Sequence, residues 1–148
     1  MNIQARSFLT ILTLIILLII SGCSNDTTAL QYHNSAKEFN SIYFEIVECI
    51  DLGNTIKSLE NLHNEENLKK IEKLGAILKK IDKNIPKDRE QLYNTFKNRH
   101  ENLVFLYEAY PSFESLSVDD RIKINSIFIS IGMDKDNWND KNSSIIWD

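Results

Sequence analysis

The chain has 148 residues and a net charge of −4, from 17 Lys and Arg against 21 Asp and Glu. That length suits one ordinary domain, and the acidic balance argues against a nucleic-acid partner, because neutralising phosphates takes a basic surface. With 4 Gly and 2 Pro the chain lacks the turn punctuation of sandwiches, barrels and doubly wound sheets, so composition points to helices.

Residues 1–22 read as a secretory signal peptide that is removed. Arg6 is the one charge ahead of Cys23, an apolar run extends from Phe8 to Ile20, and Ser21 and Gly22 are small. The run covers 13 residues, short of the ~20 that a spanning helix needs. Ile20-Ser21-Gly22-Cys23 resembles the lipobox of bacterial lipoproteins: an aliphatic residue, two small residues, then Cys. The resemblance implies that the Cys23 thiol takes a diacylglyceryl group with palmitate-type chains. It also implies cleavage just before Cys23 and anchoring on the exported face of a membrane. Two acyl chains hold stably where one holds reversibly. Ser24 stands where an Asp favours the inner membrane in Gram-negative lipoproteins, so an outer-membrane location is implied for such a cell. Without its first 22 residues the chain keeps 126, with 16 basic against 21 acidic side chains. That size can bury a core without disulfide staples.

Residues 23–29 form the lipidated Cys and a short polar tether, which places the domain close to the bilayer. Residues 30–132 form the predicted helical domain. Its first segment, 28 to 52, carries Tyr32, Ala36, Phe39, Tyr43, Ile46, Val47 and Ile50 at helical spacing, with Gly53 as a C-terminal cap. Cys49 lies in this stretch without an internal partner. It reads as a small buried hydrophobe, with an intermolecular disulfide as the alternative. Asn54 restarts the chain for a short amphipathic piece ending near His63. Asn64 then reads as an N-cap, followed by Glu65 and Glu66 where negative charge suits the helix dipole. Leu68, Ile71, Leu74, Leu78, Ile81 and Ile85 continue that helix until Pro86 closes it. A third segment runs from 87 to 110 and stops at Pro111. A fourth runs from Ser117, whose pairing with Asp120 resembles a capping box, to Ile131, with Gly132 as its cap. Ile127, Ile129 and Ile131 also alternate as a strand would, but one strand has no partner in this chain. The expectation is an all-α fold, a small antiparallel bundle of about four helices.

Little in the chain points to chemistry. His33, His63 and His100 are scattered, and there is no HExxH, CxxC or GxSxG. The run from Asp134 to Asp140 fails the calcium-loop pattern and reads as a solvated acidic turn. The Lys-rich stretch from Lys69 to Lys83 alternates with acids and reads as a solvated face, with lipid headgroups as a minor contact. Catalytic, cofactor-binding and metal sites are therefore expected to be none. Residues 133–148 read as a polar tail carrying Trp138 and Trp147. Ile145, Ile146 and Trp147 are expected to fold back on the bundle. The alternative is that Trp138 and Trp147 contact a partner, since Trp is enriched in binding hot spots. Two functions follow. One is a lipid-anchored, non-catalytic interaction module of adaptor, immunity or exclusion type, bound to an envelope protein. The other is a lipoprotein that holds a cell-wall glycan or small ligand. The first predicts an exposed apolar patch, the second an enclosed pocket.

Overall fold

The computed structural model describes residues 28–139 apart from 84 and 87. The signal peptide, Cys23, residues 24–27 and Trp147 lie outside the described residues. Among those described the secondary structure is helical throughout: α1 (28–47), α2 (Thr55–Leu62), α3 (Glu65–Asp82), α4 (Glu90–Ala109), a 3-10 helix (Tyr110–Ser115) and α5 (Val118–Asn139).

Local chemistry sets most of the boundaries. The Asn54 side chain accepts from Lys57 N at the start of α2, and Asn64 accepts from Asn67 N at the start of α3. Each satisfies a backbone donor that the first helical turn leaves unpaired. The sequence leaves open whether residues 55–84 form one helix or two; the structure has two, broken in the apolar gap between Leu62 and Leu68. At Pro111 the chain tightens into the 3-10 helix instead of stopping. At the start of α5 Ser117 Oγ accepts from Asp120 N at 3.1 Å and donates to Asp120 Oδ2 at 2.7 Å. Asp here replies to the cap hydroxyl, where the longer Glu of a capping box reaches the backbone.

Three expectations need correction. The helix of the first segment ends at Val47, and the chain turns before Gly53, which has no left-handed conformation to supply a cap. Gly132 does not terminate α5, which continues to Asn139. Residues 134–139 are therefore helix, and the solvated acidic turn does not form.

Contacts fix the directions. Lys70 pairs with Glu45 at 3.5 Å and Lys73 with Glu38 at 2.9 Å, so α1 and α3 run antiparallel. Arg99 meets Asp134, and Lys123 sits over the Phe105 ring, so α4 and α5 are antiparallel too. Phe39 packs on Phe96 with ring centroids 4.8 Å apart, joining α1 to α4 across the core. Around that pair lie Tyr43, Ile46, Leu59, Leu74, Ile77, Leu103 and Ile124, all essentially inaccessible. Burying each such side chain contributes about 1.5–3 kcal/mol, which makes this contiguous core the main source of stability.

Candidate functional site

Helix α5 is apolar on two sides. Ile124, Ile127, Phe128 and Ile131 are buried against the bundle, while Val118, Ile122, Ile129 and Met133 face outward. At 3.6 residues per turn the outward four fall within an arc of about 60°, opposite the buried face. A surface helix ordinarily has one apolar stripe and a polar back. Ile129 is 62% and Met133 63% exposed, which is far from the core average. Leu52, from the turn before α2, is exposed beside Ile129 and Met133 and extends the patch. Leu52 Cδ1 lies 3.1 Å from where a Cβ on Gly132 would stand, so the missing side chain lets the turn close on the helix. A shallow groove of 480 Å³ runs there between Leu52, Thr55, Ile129 and Met133.

A charged cluster fixes α5 from behind. Arg99 Nη2 donates to Asp134 Oδ1 at 2.6 Å, and Nε donates to Oδ2 at 3.0 Å, a two-pronged pair. Arg99 Nη1 also donates to Asn40 Oδ1 at 2.9 Å. Tyr43 Oη donates to Asp134 Oδ2 at 2.7 Å. The Arg99 and Asp134 side chains are 15% and 18% exposed. Burial first, and then the Asp134 charge, push the Tyr43 hydroxyl well above its ordinary range. The next residue, Lys135, donates from Nζ to Ile50 O at 2.9 Å, closing the carbonyl end of the turn after α1. These bonds explain why α5 does not stop at Gly132.

A second concavity lies between α3 and α4. It has a volume of 650 Å³ with Ile71, Gly75 and Val104 on its floor and Glu72, Lys97 and Glu101 on its rim. His100 lines it, half-buried, and its pKa is lowered chiefly by desolvation, against the opposing effects of a hydrogen bond at the Ile71 backbone and the Glu101 charge. The groove is open along its length and is not the enclosed pocket expected of a ligand binder.

The remaining candidates are apart from one another. His63 Nδ1 lies 3.0 Å from Tyr107 O, with its ring against Tyr107 and Tyr110. Cys49 is a half-buried free thiol that donates to Ile46 O at 2.9 Å, and burial raises its pKa. Among the described residues no group of three His, Cys, Asp or Glu side chains could hold a metal ion. No helix among them is long and apolar enough to cross a membrane. Trp138 lies in the last turn of α5. Sequence reasoning missed Ile129 and Met133 as a surface. Their signal was the alternation of Ile127, Ile129 and Ile131, which places isoleucine on both sides of one helix. Compared with protein-family models, curated proteins and solved structures, the chain matches none.

Proposed function

We propose that the protein is a lipid-anchored, non-catalytic interaction module of the bacterial envelope, held by Cys23 and docking an envelope protein through the outward face of α5. The observation that carries this reading is the second apolar stripe, Val118, Ile122, Ile129 and Met133 with Leu52 beside it. Exposed apolar patches of this kind mark binding surfaces, and the Arg99–Asp134 pair holds the helix that bears this one. The lipobox-like run ending at Cys23 supports the address. Trp138 and Trp147, at the same end of the sequence as the stripe, are proposed to extend the contact.

The test is co-purification from membranes solubilised in mild detergent. Wild-type protein should retain a partner in fixed ratio, and Ile129→Glu with Met133→Glu should lose it while keeping its helical content. Equal retention by the double variant would refute the reading. The α3–α4 groove is open, but its 650 Å³ lies within the ordinary range of ligand sites, and that volume is what a second reading, a small-ligand lipoprotein, rests on. On that reading the double variant would behave as wild type, and His100→Ala would abolish binding.

A further inference from the structure

We propose that the end of the bundle nearest Cys23 docks on an anionic bilayer and that a pocket beside Tyr32 receives a phosphate oxygen of a phospholipid headgroup. The proposal rests on lipidation of Cys23. Four residues, 24–27, separate Cys23 from position 28, which is already helical. Fully extended, that span reaches no more than ~18 Å. The first turns of α1 are therefore held near the membrane surface.

The groups at that end suit an anionic surface. Tyr32, Ala36, Arg89 and Leu92 line a pocket of 320 Å³ between α1 and the start of α4. Tyr32 is only 6% exposed, and its hydroxyl has no hydrogen-bond partner among the described residues. Buried donors are rarely left so. The hydroxyl senses the charges of Arg89 and Asp88, both on the pocket wall. The pocket also opens at the N-terminus of α4, where the N-cap Arg89 supplies no side-chain acceptor. An α-helix N-terminus presents backbone N–H groups and partial positive charge to an anion. Lys80 and Lys83, both exposed, line a separate depression at the same end of the bundle, with Gln31 and Asn34 on the α3 side of α1. Asp82, Asp88 and Glu90 lie at this end too; Asp82 bonds Tyr93, Asp88 pairs with Arg89 at 3.5 Å, and Glu90 is exposed in the first turn of α4. Leu30, 59% exposed in the first described turn, adds an apolar side chain that can enter the interface.

The test places the processed, lipidated protein that begins at Cys23 in phosphatidylcholine vesicles and in vesicles that also contain phosphatidylglycerol. Lysine reactivity toward an acylating reagent is then read by mass spectrometry. Lys80 and Lys83 should each lose reactivity about fivefold in the anionic vesicles, while Lys57 on α2 at the other end should not change. Lys80→Glu with Lys83→Glu should move reactivity at Lys79, on the same end of α3, back to its neutral-vesicle value. Tyr32→Phe keeps the ring, removes the donor and should reduce the protection. Equal reactivity in the two vesicles, with Cys23 acylated, would overturn the docking alone. An unaffected Tyr32→Phe variant would overturn the pocket's part in it. A Cys23 peptide without acyl mass would overturn the anchoring and this docking together.

Discussion

Asp134 is the residue on which the position of α5 depends most. It takes both prongs of Arg99 and the Tyr43 hydroxyl in a place largely closed to water. Removing one partner of such a pair leaves the other charge buried and uncompensated. Asp134→Ala should therefore cost about 3 kcal/mol in chemical denaturation. Adding Arg99→Met should recover most of that loss, because an apolar pair of similar volume has no charge to desolvate. Tyr43 makes a pH prediction. Its hydroxyl is held protonated in the fold, first by burial and then by Asp134, whereas an unfolded tyrosine ionises near pH ~10. The stability it contributes is thus complete below that pH and is lost as pH rises past it. Thermal midpoints measured between about pH 9 and 11 should fall less steeply for Tyr43→Phe than for the wild type. His100 has the opposite sense. Desolvation lowers its pKa, so its contribution is present above an unfolded value of ~6.5 and fades as the solution is acidified below it.

At the scale of elements, two helical glycines separate packing from propensity. A Cβ at Gly132 would stand 3.1 Å from Leu52 Cδ1, the far end of a half-exposed side chain that can move aside. A Cβ at Gly75 would meet His100 Nε2 at 3.1 Å and Cε1 at 3.3 Å, a rigid ring held between α3 and α4. Alanine gains roughly 1 kcal/mol over glycine inside a helix. Gly132→Ala should accordingly raise stability by about 0.5–1 kcal/mol, and Gly75→Ala should gain less or lose, both read from urea unfolding. The same two elements show what sequence pattern could and could not convey. Asn64, Glu65 and Glu66 announce α3 because cap and dipole chemistry are local. The end of α5 is not announced. Gly132 and the polar run after it look like a stop, and what overrides them is a bond from Arg99, distant in sequence. The candidate surface was hidden for a related reason. Ile129 and Met133 are apolar residues at helical spacing, and spacing alone does not say which of two apolar faces meets the core.

At the scale of the whole molecule, the up-and-down course of α1, α3, α4 and α5 leaves two unlike regions free for contact. One is the end bearing Tyr32, Lys80 and Lys83, near the lipidated Cys23 of the proposal. The other is the flank formed by α5 and Leu52. An anchor at the first and a partner at the second would let a domain of this size hold an envelope protein beside the membrane. The most direct measurement of that account is photo-crosslinking in living cells, with the probe at Ile129 and, separately, at exposed Ser130, one residue off the stripe. The account predicts one dominant protein adduct from Ile129 and none from Ser130, with the protein in the membrane fraction. No adduct from Ile129 in folded, membrane-bound protein would contradict it.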